Sequence, residues 1–197
     1  MNQNLPERFE TERLIVRSYE AGDGPMYFDA ARRNRNHLQR YESGNILMTL
    51  RDEQEAERTV QELADDWRER RCYFMGAFSK EDGAFAAQIY VGMFKRDPLE
   101  FIVGYIADCD HEGHGVVSEA LRGVLCFVFE RLGAHRVRIH CDETNERSRR
   151  VAERCGFVRE GVTREDTRSP EGILTGTVVY GLLRREFEKR GECPSET

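Results

Sequence analysis

Between residues 99 and 132 the chain passes from an apolar run, LEFIVGYIA, through DCDHEGHG, into a stretch whose apolar residues recur every three or four positions. The run follows Pro98 and reads as a buried central strand. In 116–132, Val117, Ala120, Leu121, Val124, Leu125, Val128 and Leu132 form one broad helical face, and Phe127 and Phe129 add further apolar cover. A buried strand that feeds a deeply packed helix through two glycines demands partners on both sides of a sheet. It therefore sets the class: layered α/β.

The rest of the chain agrees. ERLIVRSY, 12–19, alternates as a half-buried strand, and Pro25 stands in the first turn of a helix over 25–38. A second helix, 51–71, carries Ala56, Val60, Leu63, Ala64 and Trp67 on one stripe. Strands at 72–79 and 84–94 flank the turn KEDG, and AHRVRIHCD, 134–142, alternates again. A helix from about 145 stops at Gly156, and FVREGVTRED and LTGTVVYGLLRRE supply two closing strands. The expectation is one domain over 9–187, with a short extension at 1–8 and a charged, loose tail at 188–197.

Three chemistries compete for the junction. Cys109, His111 and His114 are close in sequence, but a zinc helix needs its two histidines four apart, and these are three apart across a glycine. No metal is expected there. A phosphate is the stronger reading. Gly113 and Gly115 let the backbone adopt positive φ and approach an anion, while unbonded N–H groups of residues 113–118 would leave the first helical turn with the helix dipole behind them. Ser118 could add a hydroxyl. The third reading is an ordinary turn, since a Gly-x-Gly pair alone is weak and matches neither Walker A nor the dinucleotide fingerprint.

Resemblance shifts the balance. FETERLIVRSY, the strand ending VGYIA, the segment Asp110–x–x–Gly113–x–Gly115 followed by VVSEAL, and NERSRRVAERCGFVREG together resemble the GNAT superfamily of acetyl-CoA-dependent N-acetyltransferases. The likeness spans about 9–187 and is strongest to the branch that acetylates N-terminal alanine and serine of ribosomal proteins. It implies a GNAT fold: a single mixed, strongly twisted sheet with a splayed pair of strands, flanked by helices. It also implies acetyl-CoA as co-substrate and direct transfer to an amine, either a protein N-terminus or a small molecule, without an acyl-enzyme. A homodimer is compatible with the branch.

Carried onto this sequence, the resemblance places the cofactor on Gly113, His114, Gly115, Val116, Val117 and Ser118, with the thioester against the main chain of Tyr105, Ile106 and Ala107. Asn145 would bond the pantetheine arm, or simply cap the helix that it begins. Ser148, one turn on, would serve the departing thiolate. The tyrosine that many GNAT enzymes use one turn further is replaced by Ala152. The motif's usual Arg or Gln is Asp110, whose acid should be turned away from an anion; Glu112 and His114 also depart from the branch. For the general base the region GVTREDTRS offers Glu165 and Asp166, of which strand alternation lets only one face the cleft. Thr167 and Gly176 stand where the branch carries acids, and Glu100 and Glu42 are further candidates. Gly104 suits a bulge or a close approach.

Charge narrows the partners. With 36 acidic against 30 basic residues and a net charge of −6, the chain is no general nucleic-acid binder. Arg32, Arg33, Arg35, His37 and Arg40 nonetheless make a basic helix face, read as solvated, or as a guide for phosphates or rRNA. Cys72, Cys109, Cys126, Cys141, Cys155 and Cys193 show no paired spacing and read as thiols of a reducing compartment, and neither Cys109 nor Cys141 reads as a nucleophile. No apolar leader or membrane-length run occurs, so the expected place is the cytoplasm. A non-catalytic acyl-CoA sensor of the same fold is the rival function.

Overall fold

The computed structural model describes residues 5–191; residues 1–4 and 192–197, including Cys193 and most of the expected tail, lie outside the described part. In chain order the elements are β1 (Arg8–Glu10), β2 (Leu14–Ser18), α1 (Gly24–Leu38), α2 (Glu53–Arg68), β3 (Cys72–Ser79), β4 (Phe85–Lys95) and β5 (Glu100–Ala107). There follow α3 (Val116–Cys126), β6 (Arg136–Asp142), α4 (Glu146–Arg154), β7 (Val158–Arg168), β8 (Leu174–Leu183) and α5 (Arg184–Glu188). The strands form one sheet in the order β1-β2-β3-β4-β5-β6-β8-β7. All pairings are antiparallel except β5 with β6, which run parallel.

Helices cover both faces because successive strand residues point opposite ways. Val103 of β5 packs with Val117, Leu121, Val124 and Leu125 of α3. Ile106 joins Tyr27 and Ala30 of α1 and Val60 and Leu63 of α2 in a second core. The mixed sheet flanked by helices matches the expected fold class.

Several boundaries moved. β1 was not foreseen: three residues with only Phe9 partly covered give no alternation to detect. The helix expected over 116–132 is α-helical only to Cys126, then widens into a π turn, Phe127–Arg131, with Leu132 N–H bonding the Phe127 carbonyl at 3.1 Å. That widening buries both Phe127 and Phe129. The last strand ends at Leu183, where the Glu186 carboxylate accepts the Leu183 N–H at 3.0 Å and α5 begins. Cys72, Cys109, Cys141 and Cys155 are free thiols.

Candidate active site

The parallel pair is short. β5 and β6 pair at Glu100–Arg136, Phe101–Val137 and Ile102–Arg138, and no further. Beyond Ile102 the strands part, while β5 stays paired to β4 as far as Ala107. The β6-facing edge of β5 is thus left open from Val103 onward. A cavity of about 270 Å³ occupies the gap, lined by Val103, Gly104 and Tyr105 on one side and Ile139 to Asp142 on the other. Asn145 and Ser148 also line it, with residues 40–43 after α1, 167–170 at the end of β7 and Thr177 of β8. Gly104 makes no bulge: it pairs with Tyr90, and a Cβ there would meet only that ring, at 3.8 Å.

Inside the gap, two hydroxyls form one unit. The Tyr105 phenol donates to the Ser148 carbonyl at 2.9 Å, and Ser148 Oγ donates to the phenol oxygen at 3.1 Å. Burial raises the Tyr105 phenol well above its ordinary range, so it stays neutral and can donate. The Asn145 side chain accepts the Ser148 N–H at 3.1 Å, so it is an N-cap that also faces the cavity. Cys141 is buried beside Ser148, and burial pushes its thiol up, away from thiolate.

Two carboxylates line the cavity, and their surroundings differ. Asp142 accepts from Thr144 N–H at 2.8 Å, Thr144 Oγ1 at 2.6 Å and Thr175 Oγ1 at 2.5 Å. Burial opposes its charge, but those bonds prevail and hold it below the usual carboxylate range. Glu42 is half-buried in the loop after α1, and loss of water raises its carboxyl to about 7, with only the Asn45 side chain bonding it in opposition. The loop is stitched over the gap where the Tyr41 hydroxyl donates to the Thr144 carbonyl at 3.2 Å. His140, on the exposed side of β6, is lowered by burial and by the Arg138 guanidinium, whose Nη1 stands 3.5 Å from Nε2.

The glycine loop leads from β5 into α3. Gly113 and Gly115 have φ of 80° and 77°, and Gly115 is the residue from which α3 starts. The first intrahelical bond runs from Glu119 N–H to the Gly115 carbonyl at 3.0 Å, which leaves the N–H groups of Val116, Val117 and Ser118 without a helical acceptor. Ser118 Oγ is buried and has no hydrogen-bond partner. Beside this turn lies a second cavity, of about 540 Å³, lined by Arg13, Gly115, Ser118, Arg122 and Arg154 with Glu12 and Glu119. Arg13 is anchored by the Glu119 carboxylate at 2.7 Å and donates to the His114 carbonyl at 3.1 Å.

The acids of the loop are turned away and neutralised. Asp110 meets Arg33 of α1 at 2.7 Å, and Arg33 also bonds buried Asp108 at 2.9 Å. Asn34, fully buried, donates to Asp108 at 2.7 Å and accepts the Cys109 N–H at 2.7 Å. Glu112 is paired with Arg147 of α4 and lies 3.8 Å from His37. The basic face of α1 is therefore largely committed: Arg33 and His37 hold the loop and Arg35 bonds the Leu50 carbonyl at 3.0 Å, while Arg40, beyond the end of α1, lines the cavity. Asp108, Cys109 and Asp110 bring potential metal donors together, but Arg33 and Asn34 already occupy the two carboxylates.

Some expected residues do not reach the gap. Glu165 and Asp166 sit where β7 slips register against β8 between Thr163 and Thr167; Glu165 has φ of 51°, and both are exposed. The bulge breaks the alternation that should have aimed one of them inward. Asp166 does come near enough to His140 for its charge to be felt there. Glu100 is buried at the closed end, held by Arg136 at 2.7 Å and Arg138 at 2.6 Å. Thr167 lines the cavity and bonds Thr175. At Gly176 a side chain has no room, because a Cβ would lie 2.7 Å from the Thr163 carbonyl, and Glu143 accepts the Gly176 N–H at 2.8 Å. Sequence reasoning missed the Tyr105 phenol, on β5, and Arg13, just before β2.

Splayed parallel strands above a glycine-initiated helix are matched by a family model. The Acetyltransferase (GNAT) domain covers residues 13–158. The chain belongs to the GNAT acetyltransferase family. YdaF of Bacillus subtilis (strain 168) is 28% identical over 179 residues, 90% of this chain and 94% of the relative. The [ribosomal protein uS5]-alanine N-acetyltransferase of Escherichia coli (strain K12) is 26% identical over 180 residues, 82% of this chain and 84% of that one. In fold, this GNAT chain superposes on a ribosomal L7/L12 α-N-protein acetyltransferase, RimL, solved with coenzyme A: TM-score 0.78, 18% identity, covering 91% of this chain and 97% of the other. It is an N-acetyltransferase of the acetyl-CoA-dependent kind, and no helix among its described residues is long and apolar enough to cross a membrane.

Proposed function

We propose that this GNAT enzyme acetylates the α-amine of a protein N-terminus, in the cytoplasm, and that the gap between β5 and β6 is where the thioester meets the amine. The observation that carries the reading is the open β5 edge with the Ser148–Tyr105 hydroxyl pair in the gap, on a chain whose β5 leads through the glycine turn into the α3 N-terminus. Free N–H groups at Gly115–Ser118 and the guanidinium groups of Arg13, Arg122 and Arg154 suit a diphosphate and a further phosphate. The orphaned Ser118 hydroxyl suits the same anion. Asn145 would hold the pantetheine arm while it caps α4.

In the gap, main-chain groups of Tyr105, Ile106 and Ala107 polarise the thioester carbonyl, and the Ser148 hydroxyl, whose proton rests on the Tyr105 oxygen, turns from it to donate to the departing thiolate. Tyr105 thus supplies from β5 the hydroxyl that Ala152 cannot supply from α4. An N-terminal amine, with a pKa of about 8, is partly neutral at pH 7, whereas a lysine near 10.4 is not. The names of the uS5 and L7/L12 relatives point to the same acceptor class. The test is release of coenzyme A with peptides that start in Ala or Ser, against polyamines and aminoglycosides. Faster turnover of the peptides is expected; preference for the small amines would overturn the acceptor assignment, and tight binding without any turnover would revive the sensor.

A further inference from the structure

Glu42 stands apart from every other acid near the site. It lies in the same cavity as Ser148 and Tyr105, its charge is felt at the Tyr105 phenol, and no ion pair holds it among the described residues. The other lining carboxylate, Asp142, is committed to three donors. The loop that carries Glu42 is fixed by Tyr41 on Thr144 and by the Glu42 N–H on the Leu38 carbonyl at 2.8 Å. We infer that Glu42 is the catalytic proton acceptor for the incoming amine, a role that rests on reading the cavity as the acetyl-transfer site.

The step balances as follows. The ammonium form of the acceptor gives one proton to the Glu42 carboxylate, and the freed nitrogen lone pair forms a C–N bond at the thioester carbonyl carbon. The tetrahedral adduct collapses with breakage of the C–S bond. Ser148 hands its proton to the thiolate and regains one from the acylated nitrogen, while Glu42 later releases its proton to water. The net products are an amide, a thiol and one proton.

The groups that face Glu42 determine how it titrates. Its own loop brings Arg40 and Tyr41, β5 brings Tyr105, β6 brings His140, Cys141 and Asp142, α4 brings Ser148, and β7 brings Arg168. Arg40 lies over the Tyr41 ring, 5.0 Å from its centroid, and Arg168 donates to the Gly172 carbonyl at 2.6 Å, so both cations are oriented elsewhere. Partial loss of water raises the carboxyl to about 7, close to the working pH at which a base is most effective. His140 is the competing base, but its Nε2 is turned to Arg138.

The test is kcat and kcat/KM from pH 5.5 to 9.5, in steps of about half a unit, with an Ala-starting peptide and with spermidine. The variants are Glu42→Gln, Glu42→Asp and His140→Gln. In the wild type, rate should rise with pH through a limb near 7. Glu42→Gln should remove that limb and lower kcat about 100-fold, with acetyl-CoA affinity by calorimetry within about twofold, and Glu42→Asp should recover part of the rate. Persistence of the limb in Glu42→Gln, its disappearance in His140→Gln, or an equal loss of affinity and rate would each overturn the assignment. Failure of the wild type to bind acetyl-CoA would instead strike the reading of the cavity, and Glu42 would fall with it.

Discussion

Burying Glu42 has a thermodynamic consequence that needs no substrate. Its carboxyl titrates near 7 in the folded chain, against about 4.5 when unfolded. The folded state therefore binds the proton more tightly, and stability falls as pH rises from about 4.5 through 7. Each tenfold in proton affinity is worth about 1.4 kcal/mol, so full ionisation of a dry Glu42 would cost about 3 kcal/mol. Contact with water in the cavity trims this to about 2 kcal/mol. Glu42→Gln keeps the shape and removes the titration. Urea denaturation at pH 5 and pH 8.5 should show the variant gaining about 1 kcal/mol on the wild type between the two conditions, because much of the unfolded-state carboxyl is already ionised at pH 5. An unchanged difference at both pH values, or a variant that loses ground at pH 8.5, would refute the claim that desolvation governs this carboxyl.

The hydroxyl pair predicts non-additivity. Ser148→Ala and Tyr105→Phe should each lower kcat by about 10- to 100-fold, and the double variant should be little slower than the worse single one; multiplied losses would show two independent roles. Asn145→Ala should lose about 1 kcal/mol of stability as a cap, whereas Asn145→Ser restores the cap but not the amide. If Asn145→Ser also recovers acetyl-CoA affinity in calorimetry, the amide does not touch the pantetheine arm. Asn34→Ala strips a partner from Asp108 and from the Cys109 N–H, and should cost about 2 kcal/mol in melting experiments while weakening acetyl-CoA. Full affinity at unchanged stability would mean that α1 does not set the glycine loop.

What could be read from the chain and what could not divide by range. β3, β5, α1 and the start of α4 follow from local rules: alternation, Pro25 in a first turn, and Asn145 as a cap. The glycine pair announced its positive φ because only backbone freedom explains two glycines at the head of an apolar helix. The split between β5 and β6 was beyond such rules, since parallel partners are set by a crossover rather than by neighbours. Only the resemblance supplied it. Glu165 and Asp166 were misplaced because alternation assumes an unbroken ladder, and the bulge at Thr163–Thr167 breaks it. Glu42 could be named only as one candidate among several acids, because the walls around it come from β5, β6 and α4, far along the chain. Arg33 reached the loop for the same reason: a charge on a helix face has no visible partner until the helix is docked.

The most direct examination of the whole account is a crystal structure with acetyl-CoA bound. The diphosphate should rest on the N–H groups of Gly115 to Ser118, beside Arg13, with the sulfur next to Ser148 and Tyr105 in the gap between β5 and β6. A cofactor bound elsewhere, with the gap and the glycine turn vacant, would contradict it.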